Sequence, residues 1–263
     1  MGPVVEGIDH VYVPMTDATA AFAALTEDLG LPVLWPFTSF GSFSSGGVSL
    51  GNIKLEVIDD NPDVPWSRAQ QPPRVQGIAL RPARDVDEGY LSELEARRLP
   101  HSAPSHFERG GRPAWTNVYF QDLVGEEAGA FVCDYHLREP KDLDRRRRVL
   151  QACGGGRLGV VDAVELVIET RDLDAARRRW QRLFDPLQPR EPLSWHLPVG
   201  PAVTLTGGED ERVGDLVLAV TSPPEAASVW RAVASPLRQL PLRFTQARGR
   251  PSSAGGAVSG PSA

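Results

Sequence analysis

Two cysteines, two lysines and no apolar run near the ~20 residues of a membrane span mark what this chain has little of. Cys133 and Cys153 form no Cys-x-x-Cys pair and are too few for a disulfide framework, which points to a reducing cytoplasm. Lys54 and Lys141 stand against 26 arginines, which reads as the coding bias of a GC-rich genome rather than as chemistry. A surplus of positive charge is also missing. The net charge is -6 and the pI about 5.4, so the general electrostatic footprint of a nucleic-acid binder is absent. Met1 to Ile8 has no basic stretch followed by an apolar one, so no signal peptide is expected. No nucleophile elbow, P-loop or dinucleotide fingerprint occurs. What remains is a chain of 263 residues, 41% hydrophobic and 24% charged, ordinary for a soluble globular protein of one large or two small domains.

A weak internal repeat is the most informative feature present. Four segments share one plan: His10 to Asp17, Ile78 to Asp85, Glu165 to Asp172 and Asp215 to Ser222. Each is a β-prone run that reaches an Asp or Ser seven residues on, where a helix N-cap belongs. Apolar residues then recur at helical spacing: Phe22, Leu25 and Leu29; Tyr90, Leu91 and Leu94; Ala176, Trp180, Leu183 and Phe184; Val229, Trp230 and Val233. Short β-prone runs follow, in the first case Leu31 to Phe43, Gly47 to Leu50 and Ile53 to Ile58. The unit therefore reads βαβββ. The expected class is α+β, with tandem βαβββ modules forming two barrel-like halves, the C-terminal half degenerate. The first half is expected over 1–137, with modules at 7–58 and 75–136, a linker at 138–156, the second half at 157–247 and a disordered tail at 248–263. Pro100 to Arg112 reads as a loop, and the run Arg145 to Arg148 as a solvated helix face.

Modules of this plan, with a first strand beginning Ile8-Asp9-His10-Val11 and a fourth reading Ile53-Lys54-Leu55-Glu56-Val57, resemble the vicinal oxygen chelate superfamily. That superfamily includes glyoxalase I, methylmalonyl-CoA epimerase, extradiol dioxygenases and bleomycin resistance proteins. The resemblance is clearest over residues 7–58. It implies that two modules close around a cavity with a divalent metal ion between them, held by residues of first and last strands.

Strand alternation agrees with that placement. Val11 and Val13 share one face and His10 and Tyr12 the other; Leu55 and Val57 share one face and Lys54 and Glu56 the other. With the apolar sets under the helix, His10 and Glu56 face the cavity and make half a metal site. In the second module Asp134 aligns with Glu56, with His136 as a spare ligand. The expected metal set is thus His10, Glu56, Asp134 and His136, for Zn, Mn, Co, Ni or Fe(II). Asp134 or Glu165 would move the proton, and a swap of modules could bring Glu165 to His10 and Glu56. The aromatic residues Trp35, Phe37, Phe40, Phe43, Trp115, Tyr119 and Phe120 read equally as core or as cavity wall. Three functions follow: a metal-dependent glyoxalase-like lyase or isomerase acting on a small hydrophobic or aromatic oxygenated metabolite; a non-haem Fe(II) dioxygenase of extradiol type; or a metal-free binding or resistance protein. The partner is a small molecule, with no nucleic acid and no membrane, and a homodimer is left open.

Overall fold

The computed structural model describes residues 2–61, 69–125, 129–136 and 142–248. The expected tail, beyond Arg248, lies outside them, as does part of the expected linker.

The first half is one curled, eight-stranded sheet. Its elements are β1 (Val5–Met15), α1 (Ala18–Ala23, continued by a π turn to Asp28), β2 (Val33–Ser39), β3 (Ser44–Ser49), β4 (Lys54–Asp59), β5 (Gly77–Pro82), α2 (Glu88–Ala96), β6 (Ser105–Arg109), β7 (Arg112–Phe120) and β8 (Gly129–Tyr135). The strand order β2-β3-β4-β1-β5-β8-β7-β6 sets the two modules in mirrored sequence about the β1–β5 seam. The first and last strands of each module pair in parallel and the seam is antiparallel. β6 is a correction to the loop expected there. Its polar residues alternate with Phe107, and Gly110 and Gly111, both at positive φ, close a hairpin onto β7.

A helix from the expected linker, α3 (Asp142–Ala152), leads to the second half: β9 (Val160–Thr170), α4 (Leu173–Phe184), β10 (Ser194–Trp195), β11 (Ala202–Gly207), β12 (Arg212–Val220), α5 (Pro223–Arg231) and β13 (Leu242–Gln246). Its sheet has five strands, in the order β10-β11-β9-β12-β13. The third module thus has three strands and the fourth two.

Local chemistry accounts for the helices. Asp17 and Asp172 cap α1 and α4 by accepting from Ala20 N and Ala175 N, and Pro223 opens α5. The cap of α2 is Asp87, not Asp85; its carboxylate accepts from Tyr90 N. On α4, Ala176, Trp180, Leu183 and Phe184 are all buried, and each large side chain contributes roughly 1.5–3 kcal/mol of burial. The two halves share one apolar core on the helix side. They are also pinned by polar contacts: Asn52, in the turn between β3 and β4, exchanges two hydrogen bonds with the backbone of Ala163, at 2.7 and 2.9 Å. Gly7 bridges Val199 so closely that any Cβ there would strike the Val199 carbonyl.

Candidate functional site

The concave face of the first sheet encloses a cavity of about 400 Å³. Alternation on β4 turns Lys54, Glu56 and Ile58 into it while Leu55 and Val57 go to the core. β7 contributes Trp115, Asn117 and Tyr119, and β8 contributes Phe131, Cys133 and Tyr135. On β1 the ladder to β5 slips between Ile8 and His10, leaving Asp9 as a bulge residue. The bulge brings Asp9 and His10 to the cavity together, with Tyr12 two residues on. The Tyr12 ring lies over Gly77, where a side chain would collide with it.

The polar end of the cavity is a connected cluster. Asp9 Oδ2 lies 2.9 Å from His10 Nδ1 and accepts from Lys54 Nζ at 2.6 Å. His10 Nε2 is 3.3 Å from Glu56 Oε2. The Lys54 ammonium sits 4.5 Å from the centroid of the Tyr135 ring, and its Nζ is 3.5 Å from the Tyr135 hydroxyl. Arg146, fully buried on α3, donates to the Asp9 carbonyl at 3.3 Å and so steadies the bulge. Burial alone would raise the Asp9 carboxyl, but Lys54, with His10 and Arg146, draws it well below the usual carboxylate range. Burial pushes the Tyr12 and Tyr135 phenols and the Cys133 thiol up, which keeps all three protonated.

Aromatic side chains are the largest group in the rest of the lining, beside Leu34, Ile58 and the charged residues Arg81, Arg109, Asp142 and Arg145. Phe40 and Phe43 stack at 5.3 Å, and Phe107 and Trp115 at 5.1 Å. Phe40 meets Trp115 edge-on at 5.7 Å, so the hairpin ends of the two modules touch across the mouth. Trp35 and Tyr119 also line the cavity, whereas Phe37 and Phe120 pack on the core side, so both readings of the aromatic set apply, to alternate residues.

His10 and Glu56 meet in this cavity; the other expected site residues do not join them. Asp134 points to the helix side, where its Oδ2 accepts from Val86 N at 2.9 Å. His136 shares that outer face and lies 3.0 Å from Thr116 Oγ1, which also contacts His106. The reason is parity: the run Phe131-Val132-Cys133 is apolar on both faces, so its pattern did not reveal which one turns inward. Glu165 lies in the second sheet and accepts from Thr204 Oγ1 at 2.6 Å; modules one and two pair with each other, so no swap brings it to His10. The arginine run is not a solvated face throughout, since Arg146 is buried and Arg145 lines the mouth beside Asp142. Asp9 and Lys54 were not among the expected site residues. Lys54 shares a face with Glu56 by simple alternation; Asp9 needs the bulge, which no strand pattern announces.

The donors of this cavity do not complete a metal centre. His10 Nε2 and Glu56 converge, and Asp9 backs the imidazole as carboxylates behind metal-bound histidines do. The strands facing them from the second module present Ala79, Phe131, Cys133 and Tyr135, with no carboxylate or imidazole. Among the described residues no group of three or more His, Cys, Asp or Glu is placed to hold an ion. The Lys54 ammonium already supplies a positive charge to the cluster.

No family model matches this chain, and no curated protein matches it. Solved structures do. A hypothetical protein from Staphylococcus aureus superposes with a TM-score of 0.63 at 12% identity, over 91% of this chain and 98% of that one. A variant of 4-hydroxymandelate synthase from Streptomyces coelicolor gives 0.59 at 14% identity, over 87% and 74%. The Mn(II)-bound glyoxalase from Novosphingobium aromaticivorans gives 0.51 at 12% identity, over 88% and 72%. At these identities the likeness is one of fold: the chain has the fold of the vicinal oxygen chelate superfamily. Among the described residues no helix is long and apolar enough to cross a membrane.

Proposed function

We propose that the N-terminal half binds an aromatic small molecule without a resident metal, its ring between the aromatic walls and its polar end at the Asp9–His10–Glu56–Lys54 cluster. One observation carries this: a 400 Å³ cavity, the size of a small-molecule site, that nine Phe, Trp and Tyr side chains line together with the Asp9–His10–Glu56–Lys54 cluster. The metal-dependent glyoxalase-like reading and the Fe(II) dioxygenase reading both need donors from the second module, and Asp134 and His136 stand on the opposite face. The metal-free binding reading needs none. The test is quenching of Trp35 and Trp115 emission by a panel of aromatic compounds, in wild type and in Cys133→Trp, which fills the cavity. Saturable quenching lost in that variant supports the proposal. Quenching that is unsaturable, or equal in both proteins, refutes it.

A second reading rests on a specific contact. Asp9 holds His10 Nδ1, the arrangement that orients an imidazole for proton transfer, and Glu56 stands beside Nε2. That supports an isomerase or lyase in which His10 moves a proton of the bound molecule. Exchange of a ligand C–H for deuterium in heavy water, abolished by His10→Gln with binding retained, separates the enzyme from the binding protein.

A further inference from the structure

We propose that Lys54 is the resident cation of this cavity, in place of a divalent ion, and that its ammonium binds the oxygen of a neutral aromatic carbonyl or phenol. This rests on the ligand-binding reading above and specifies the ligand class.

Composition gives the first argument. Only two of the 28 basic residues are lysines, and one of the two is buried in the cavity wall. Arginine has a wide, planar fork, whereas an ammonium is a compact point charge with three donors. Here the compact charge sits 2.6 Å from Asp9 and 4.5 Å from the Tyr135 ring centroid.

The second argument is charge. Lys54 brings its ammonium into a cluster that already holds the Asp9 and Glu56 carboxyl groups around the His10 imidazole. A divalent ion held by His10 and Glu56 would meet the Lys54 ammonium within the same cluster, where repulsion is strong at low dielectric. An anionic ligand gains little either. Of the three guanidiniums that line the cavity, Arg145 already has Asp142 at 3.5 Å and Arg81 has Glu6, while Arg109 is an exposed residue. What fits is a neutral oxygen.

The third argument is unmet hydrogen-bonding capacity. Asp9 takes one N–H of Lys54 firmly, and the Tyr135 hydroxyl at 3.5 Å is a weak second, so a donor remains for a ligand. On the same cavity wall, buried Asn117 donates to the Tyr119 hydroxyl while its Oδ1 has no hydrogen-bond partner among the described residues. A ligand bearing an N–H or O–H group would satisfy it.

The test uses chelator-treated full-length protein and three probes read by tryptophan quenching: naphthalene, 2-acetylnaphthalene and 2-naphthoate. Wild type should bind the neutral ketone on the order of tenfold more tightly than either other probe, the worth of one charge-assisted hydrogen bond. Added Zn(II) or Mn(II) should leave that affinity unchanged. Lys54→Met should bring the ketone to the level of naphthalene while naphthalene itself shifts by less than about twofold. Because Lys54→Met removes the main opposite charge beside buried Asp9, the double variant Asp9→Asn/Lys54→Met is measured beside it and should show the same loss of preference. Calorimetric binding of a divalent ion to wild type, lost in His10→Ala/Glu56→Ala, overturns the proposal. So does a ketone preference that survives in both lysine variants. Naphthalene bound by wild type with no preference for the ketone overturns this proposal alone; failure of all three probes to bind overturns the ligand-binding reading with it.

Discussion

The two halves of this chain are alike on their helix side and unlike on the other. β1 and β9 are both 11-residue strands that open a module and lead to a helix capped by aspartate. Behind both, apolar residues pack into the shared core. On the open face, β1 sets Asp9 and His10 into an enclosed polar cluster, while β9 sets Glu165 against Thr204, itself 3.0 Å from Ser194, and leaves Val161 and Val164 exposed. The first sheet has eight strands and curls around a cavity; the second has five. The comparison teaches that the face under the helices makes the fold, because it must be apolar wherever it occurs. The opposite face is released from that demand, so it can carry a site in one half and a few polar contacts in the other.

The strongest way to break this comparison is to truncate one tryptophan on each face. Trp180→Ala, at a fully buried position under the second sheet, should cost about 3–5 kcal/mol in urea denaturation. Trp115→Ala, on the partly exposed cavity wall, should cost clearly less and weaken ligand quenching instead. Equal losses would make the cavity aromatics ordinary core. Next in size is the Asp9–Lys54 pair. Lys54→Met alone should destabilise by roughly 3–5 kcal/mol, since it strands a buried carboxylate. Adding Asp9→Asn should recover much of that loss; strictly additive effects in the double-mutant cycle would mean that the pair is not coupled.

Acid sharpens the same contrast. The folded Asp9 carboxyl titrates below its ordinary range, so its stabilisation is complete above the unfolded aspartate value of ~3.9 and is lost as pH falls through the lower folded value. The stability gap between wild type and Asp9→Asn should therefore be flat near neutrality and close only below about pH 4. A gap that closes between pH 5 and 7 would assign it to another group. Smaller still, Glu165→Ala removes one hydrogen bond in the second sheet, worth about 1 kcal/mol, and should leave ligand quenching untouched. The smallest effect belongs to His136→Ala, on the exposed outer face, within about 0.5 kcal/mol of wild type and without consequence for metal or ligand binding.

Much of the molecule was legible in its residues, for reasons that are local. The stripe Ala176, Trp180, Leu183 and Phe184 could pack only one way on a helix, and all four are buried. The facing of β4 was equally determined, because Leu55 and Val57 alternate with Lys54 and Glu56, and only one parity could enter the core. The strands assembled by long-range pairing escaped this logic. β8 is apolar on both faces along Phe131 to Cys133, so the direction of Asp134 was decided by its pairing with β5 and β7. β6 is polar and short, and exists because β7 offers it an edge. Asp9 reaches the cavity only because the β1–β5 ladder slips by one residue, a property of two strands together and not of either alone. Alternation and helical period are fixed within a segment, so the sequence determined which side chains share a face. Which face closes over a cavity, and which charges meet inside it, was decided only when strands far apart in the chain found their register.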